Sequence, residues 1–355
     1  MRCTLYYPLQ SALFVGLFLQ THSLSNWFST IETGYNSSLD SPCDTLPRLT
    51  AQQKSLCLED PNALPFIVSA IEMSLEECQE MFKSDRWNCS SASFVRLPNQ
   101  ATKESAFIYS LTSAAVVHSI SRACSSGDLT TCSCAKVDRR RRRAEGDTWR
   151  WGGCNDNLNY GLKFSQKFSD APEEELHESL LDASSLANLH NNKVGRKTIE
   201  ELTLANTRCR CHGPSGSCTQ KTCWRSIASL TDVATKLKEL YEQSAIEVVK
   251  RKRKKLRAVS EPLNRNSGPL SQSLVYTIRS PDYCVAHPSL GIKGVQDRLC
   301  NKTGTGLDSC TSLCCGRGYN TQLLMVEENC HCEFHWCCHV TCEKCSMLKE
   351  IYTCK

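Results

Sequence analysis

The chain has 355 residues, 22% of them charged and 40% hydrophobic, with a formal net charge of +5 and 25 cysteines. Cysteine at that level excludes an ordinary cytosolic protein, whose thiols are kept reduced, and points to an oxidising route. The modest charge is concentrated in "RRRRR" (139–143) and "KRKRKKLR" (250–257), patches that in an extracellular chain suit acidic glycans or lipid head groups rather than nucleic acid.

In chain order, "MRCTLYYPLQSALFVGLFLQTHSLS" has one early positive charge, an apolar core over Ala12–Leu19 and then small polar residues. That layout predicts a secretory signal peptide over 1–24, too short for a membrane anchor. No later segment offers the roughly 18 consecutive apolar residues a membrane span needs. Cys3 leaves with the signal, and the remaining 24 cysteines fall into two sets of twelve, Cys43–Cys223 and Cys284–Cys354. The even counts predict two separately cross-linked regions, disulfide frameworks rather than metal sites.

Residues 25–249 read as a helical lobe. Ile67, Ile71, Leu75, Cys78 and Phe82 recur every three or four residues and share a face. Residues 104–124 lack Pro and Gly and are apolar round much of the circumference, as in a central bundle helix. Residues 175–207 read as helical pieces with Gly195 as a break, and 225–249 carry one apolar stripe. Residues 250–273 are basic, then rich in Pro, Asn, Ser and Gly, which predicts a linker. Beyond it, 274–355 read as short strands between turns, a lobe that depends on its bridges. The fold class expected is α+β, a helical bundle with a stapled hairpin followed by a small disulfide-rich β domain. Sequons for N-glycosylation stand at Asn36, Asn88 and Asn301.

The most informative stretch is "CRCHGPSGSCTQKTC" (209–223). Nested pairing of Cys211 with Cys218 and Cys209 with Cys223 would staple a hairpin twice. Cys218 and Cys223 are five apart, an odd spacing that demands a bulge or irregular turn on the returning strand. Gly213 and Gly216 would accept positive φ and Pro214 would stiffen the approach, leaving Ser215 exposed at a rigid tip. As a nucleophile Ser215 would need a base and an orienting group, and "GPSGS" misses the G-x-S-x-G elbow. It could be an ordinary turn serine, or it could accept a covalent group presented to a partner. "CSC" and "CEKC" resemble metal-ligand spacings, against which the signal peptide and even cysteine count argue. No catalytic residue, metal or dissociable cofactor is expected.

"CHGPSGSC" with "KTCW" resembles the signature of the Wnt secreted signalling proteins, as do "RWNCS" (86–90), "ESAFIY" (104–109), "RWGGCNDN" (150–157), "LHNNKVGR" (189–196), "SPDYC" (280–284), "DRLCNKT" (297–303), "CCGRGYN" (314–320), "FHWCCHVTCEKC" (334–345) and "YTCK" (352–355). The resemblance runs from about residue 43 to the end. "SGDL", "DNLNYGL" with "KFSDAP", and "DRLCNKTGTGLDSC" make it most similar to the eleventh vertebrate subgroup, which favours signalling independent of β-catenin.

The resemblance implies palmitoleate esterified to Ser215 by the acyltransferase Porcupine, transport by the carrier Wntless, and entry of the lipid-bearing "thumb" into the cysteine-rich domain of Frizzled receptors, with a co-receptor recruited. It also implies a second contact from a "finger" hairpin, 330–342. The receptor-facing residues would be His212, Gly213, Pro214, Ser215 and Gly216 on the thumb, and Phe334, His335, Trp336, Cys337 and Cys338 on the finger. Further implied pairings are Cys43–Cys57, Cys78–Cys89, Cys124–Cys132, Cys134–Cys154, Cys284–Cys315, Cys300–Cys310, Cys314–Cys354, Cys330–Cys345 and Cys332–Cys342. Cys337 and Cys338 would pair with each other, although neighbouring Cα atoms lie only ~3.8 Å apart, below the usual disulfide range. The alternative is that each pairs elsewhere. Pro214 departs from the Val, Leu, Ile or Thr usual there, and the five-arginine run is also unusual; loop, heparan sulfate contact and proprotein cleavage are its three readings. The localisation expected is the extracellular space and matrix. The competing reading is a glycan-bound matrix or antagonist protein with Ser215 unmodified.

Overall fold

A computed structural model describes residues 27–29, 43, 49–136, 149–177, 181–251, 255–259 and 270–355. The signal peptide, Asn36 and the Arg139–Arg143 run lie outside them.

The first lobe is built round α4 (Lys103–Ser126), which follows α1 (Ala51–Glu59), α2 (Leu64–Met81) and the short α3 (Ser91–Arg96). Thr102 and Ser105 cap α4 reciprocally, and Gly127 ends it in the left-handed region. Phe107, Ile108, Leu111, Val116, Val117 and Ile120 are fully buried, so α4 is enclosed on all sides, as its uninterrupted apolar circumference predicts. Each such side chain contributes about 1.5–3 kcal/mol on burial. Around it pack α2, whose Ile67, Ile71 and Cys78 face inward, α5 (Leu158–Ser169), and two longer partners, α7 (Ala183–Ala205) and α8 (Leu230–Gln243).

Gly195 does not break α7, which is continuous across it. A Cβ there would stand 1.8 Å from the Ser110 carbonyl oxygen, so the glycine lets α7 cross close to α4. The same face of α7 carries a polar seam. Arg196 forms a two-pronged ion pair with Asp170 at 2.9 and 2.7 Å, and Asn192 donates to Asp170 and to the Ser169 carbonyl at 3.0 Å. Asn188 donates to Glu173 in α6 (Ala171–Glu174) at 3.0 Å. Burial, with the Asp170 charge adding, pushes the Glu173 carboxyl up to about 8 despite that hydrogen bond.

Strands β1 (Trp149–Trp151), β2 (Thr207–Cys211) and β3 (Lys221–Arg225) make one small sheet in the order β1-β3-β2. A second sheet corrects the expected linker. β4 (Ile246–Arg251) and β5 (Lys255–Ala258) form a hairpin, and β4 also pairs in parallel with β6 (Val275–Tyr276). Val248 and Val275 are wholly buried against Ala187 of α7. The basic run therefore begins inside a hairpin, because Val248 supplies an apolar anchor just before it. Asn191 clasps β6 through both of its amide atoms, to the Val275 N–H and carbonyl at 2.9 Å each.

The expected boundary at 274 also shifts. Leu274 and Ile292 belong to the core of the first lobe, and a separate small core begins only at Val295 with Cys310, Leu313, Cys314 and Cys354. The second lobe contains β7 (Leu299–Cys300), α9 (Cys310–Leu313), and one long antiparallel ribbon of β8 (Tyr319–His335) and β9 (His339–Cys354). The lobes are docked by arginines. Arg298 donates to the carbonyls of Lys83, Asp85 and Arg86 at 3.0, 2.7 and 2.8 Å, while Arg86 donates to Ser312 O at 3.1 and 2.9 Å. No described helix is long and apolar enough to cross a membrane.

The protonated Glu173 sets a pH dependence. An unfolded glutamate loses its proton near 4.5 and the folded one near 8, so native stability falls as pH rises through that window. Glu173→Gln removes the penalty: its gain in melting temperature over the parent should be small at pH 5 and grow towards pH 8, worth a few kcal/mol there. Calorimetry at the two pH values checks it; an equal gain at both would exclude this ionisation.

Candidate functional site

Two hairpins carry the residues singled out in the sequence. The first is β2–β3. Cys209 and Cys223 stand directly opposite in its register, Cα atoms 4.0 Å apart, and are bridged. Cys211 pairs with Cys218, which lies beyond the strand in the returning turn, so the odd spacing is absorbed by that turn rather than by a bulge. Asn155 Oδ1 accepts from Arg225 N–H at 2.6 Å, the Asp156 carboxylate accepts from Ile227 N–H at 2.7 Å, and Gly152 N–H donates to Cys223 O at 3.0 Å. These residues of the "RWGGCNDN" stretch fix the base of the hairpin to the bundle. Sequence reading singled out the motif without assigning it this role.

At the tip, Gly213 N–H donates to Ser217 O at 2.8 Å and Ser217 N–H to Pro214 O at 3.0 Å, enclosing one tight turn over Pro214–Gly216. Pro214 occupies the first position of that turn, where proline's fixed φ fits and no amide hydrogen is needed. The expectation that Gly213 takes a positive φ is corrected. Its φ is −73°, and it must be glycine because a Cβ would meet Ser217 Oγ at 2.1 Å and Thr219 Oγ1 at 2.3 Å. Gly216 does have a positive φ, +78°, and so does Ser215, at φ 53° and ψ 28°. A serine in that region costs about 1–2 kcal/mol, which the surrounding turn and its bridge must hold. Ser215 is exposed, and its Oγ makes no hydrogen bond to any described residue. His212 and Pro214 are exposed beside it.

The second hairpin, β8–β9, is much longer than the expected 330–342. It is bridged by Cys330–Cys345 and by Cys332–Cys342, the latter at a bulge between Cys330 and Glu333. Its tip is the three-residue loop Trp336, Cys337, Cys338, the two cysteines at φ 83° and 69°. Trp336 is 90% exposed and Phe334 66%, so the aromatics stand free rather than packing inside the lobe. His335 and His339 stack across the ribbon, with His335 Nε2 2.7 Å from Thr341 Oγ1. Sequence reading missed Leu323, Met325 and Leu348, which form an exposed apolar patch on one face of the stem; the run "LLM" beside charged neighbours is the signal for it.

Eleven of the twelve expected bridges are present. Cys337 and Cys338 are instead exposed free thiols, in keeping with a Cα separation too short for an ordinary bridge. Asn88 is half-buried beside the bridged Cys89, whereas Asn301 is exposed in an Asx turn that accepts from Thr303 and Gly304 N–H at 3.2 and 3.0 Å.

Together these features define a class: two docked lobes, cross-linked throughout, each sending out one stapled hairpin with an exposed tip. Comparison with known proteins is consistent and specific. The Wnt family model matches residues 45–355. Wnt-11 of Gallus gallus is 41% identical over 355 residues, covering 97% of this chain and 98% of that protein. Wnt-5a of Homo sapiens is 42% identical over 320 residues, covering 88% and 82%. Among solved structures, human WLS in complex with WNT8A contains a chain 31% identical with TM-score 0.56, covering 82% of this chain and 93% of that one. The chain belongs to the Wnt family of secreted signalling ligands. Wnt-11 proteins are among its near relatives, as the sequence motifs suggest, and Wnt-5a proteins match at the same level.

Replacing Gly213 with Ala should open the turn while leaving the bundle intact. Amide exchange over 212–218 is expected to rise at least tenfold, with α4 and α7 unchanged. Unchanged protection at the tip would mean that the close approach at Gly213 is not needed.

Proposed function

We propose that this chain is an acylated Wnt ligand whose Ser215 carries palmitoleate, added by Porcupine, and whose two hairpin tips grip the cysteine-rich domain of a Frizzled receptor, with a co-receptor recruited alongside. The observation that carries the reading is the state of Ser215: exposed, with an unoccupied Oγ, at a tip closed by one bridge, stapled by a second and braced at its base. A turn that needed only to reverse the chain would not have to hold a serine in the left-handed region. Burying about ten methylenes at ~0.8 kcal/mol each gives a gross gain near 8 kcal/mol, which a bare hydroxyl cannot approach. A single chain also attaches only weakly to membrane, which allows the lipid to pass from a carrier to a receptor. The likeness to the WLS-bound WNT8A chain supports Wntless as that carrier. At the second tip, Trp336 and Phe334 supply large exposed anchors of the kind that dominate interface energy.

One observation favours a second, compatible contact with heparan sulfate in the extracellular matrix. In the β4–β5 hairpin Arg251 lies directly opposite Lys255, with Lys250 and Arg257 exposed nearby. Like charges opposed across strands destabilise the pair, and a sulfated chain relieves that repulsion. The alternative, a matrix-bound protein or antagonist acting through this patch alone, requires Ser215 to be unmodified in active material.

Mass spectrometry of the 209–223 peptide decides between them: an acyl ester on Ser215 is expected, and its absence from active secreted protein would exclude the acylated reading. Ser215→Ala should keep the disulfides yet lose receptor-domain binding by two orders of magnitude or more and reduce secretion. Trp336→Ala should weaken binding about tenfold or more without altering acylation; unchanged affinity would remove it from the anchors. A variant with Lys250, Arg251, Lys255 and Arg257 replaced by Ser should elute from heparin at lower salt. Elution at the parent's salt concentration would locate the polyanion contact elsewhere.

A further inference from the structure

The Asn88 sequon lies where the two lobes meet, and its surroundings differ from those of Asn301. Cys89 is bridged to Cys78 and is fully buried, and the Ser90 hydroxyl donates to the Gly291 carbonyl of the later segment at 3.0 Å. The sequon's own hydroxyl is thus engaged once the chain has folded, so any glycan at Asn88 is attached before residues near Gly291 dock. The Asn88 side-chain amide, by contrast, makes no hydrogen bond to any described residue.

Asn88 forms part of the wall of a recess of about 720 Å³ whose sides come from both lobes: Gln79 and Lys83 from the first, Arg298 and Leu299 from the second, and Lys293 from the segment that joins them. That volume lies within the roughly 300–1,000 Å³ of clefts that hold small organic ligands. Its lining suits a neutral amino sugar. Lys293 is an exposed donor for hydroxyl and acetamide oxygens, while Lys83 is paired with Glu80 and Arg298 with main-chain carbonyls, and no acidic side chain lines the recess. Leu299, 66% exposed, offers an apolar surface for the acetamide methyl and the ring face.

We propose that this recess seats the first sugars of an N-glycan on Asn88, so that the glycan forms part of the contact between the lobes. In the modification step, Asn88 Nδ2 forms a bond to the anomeric carbon of the first N-acetylglucosamine of a lipid-diphosphate oligosaccharide donor in the secretory pathway. The carbon–oxygen bond to the diphosphate breaks, the diphosphate leaves with the electron pair, and Nδ2 gives up one proton. The proposal needs only passage through that compartment and is independent of acylation at Ser215.

The test compares removal of the two glycans by peptide N-glycanase from full-length secreted protein, with site occupancy read by mass spectrometry. From native protein, Asn301 on its exposed turn should be cleared at least tenfold faster than Asn88, and denaturation should abolish the difference. The double variant Lys293→Ala, Leu299→Ala, which leaves both sequons and all cysteines in place, should bring native release at Asn88 up by the same factor. An unoccupied Asn88, release as fast as at Asn301, or a rate unaffected by the double variant would each overturn the proposal. Where Asn301 carries no glycan, the comparison of parent with double variant decides alone.

Discussion

Everything the two hairpins do depends on covalent cross-links replacing a hydrophobic core. A two-stranded ribbon buries almost nothing: most of β8–β9 is exposed along its length, and isolated hairpins of this kind are marginal in water. Two bridges in each ribbon restrict the unfolded chain and so make the extended form persist. The first lobe solves the complementary problem. Its enclosed α4 supplies the apolar mass of the bundle to which one hairpin is anchored, through the side-chain oxygens of Asn155 and Asp156, which accept from main-chain N–H groups at and just beyond β3's end. A rigid tip on a rigid base is what gives an exposed serine a defined direction.

The elements most readily read from sequence were those written in spacing. The stripe of α2, the uninterrupted apolar α4 and the nested cysteines of 209–223 each impose a local geometry that little else can override. The basic stretch misled, because its composition is that of a solvated linker while its order is set by two residues outside it, Val248 and Val275, buried against α7. Gly195 misled for a related reason. A glycine within a helical pattern signals either a break or a close helix crossing, and only the position of Ser110 on the neighbouring helix decides. Gly213 was singled out correctly but for the wrong cause, since steric approach and positive φ demand the same residue.

Several of the motifs that carry the family resemblance are structural, and one of them, "RWGGCNDN", braces the tip-bearing hairpin. The "LHNNKVGR" stretch is the inner face of α7: His190 and Asn191 hold the segment leading into β6, Asn192 and Arg196 hold Asp170, and Gly195 permits the crossing. These are buried polar contacts that fix how elements meet, a role hydrophobic periodicity cannot reveal. At the finger, by contrast, the family resemblance marked the exposed loop, and Phe334 and Trp336 stand free there because the small second core leaves no room for them.

The junction between the lobes has a consequence of its own. Arg86, Arg298 and Arg317 donate across it to main-chain carbonyl oxygens, acceptors that are present whatever side chain the residue carries. A joint latched in this way depends on the backbone path of the segments it clasps. It also tolerates drift in the side chains of the segments it clasps, so the reach of the molecule can be inherited unchanged while its surface diversifies.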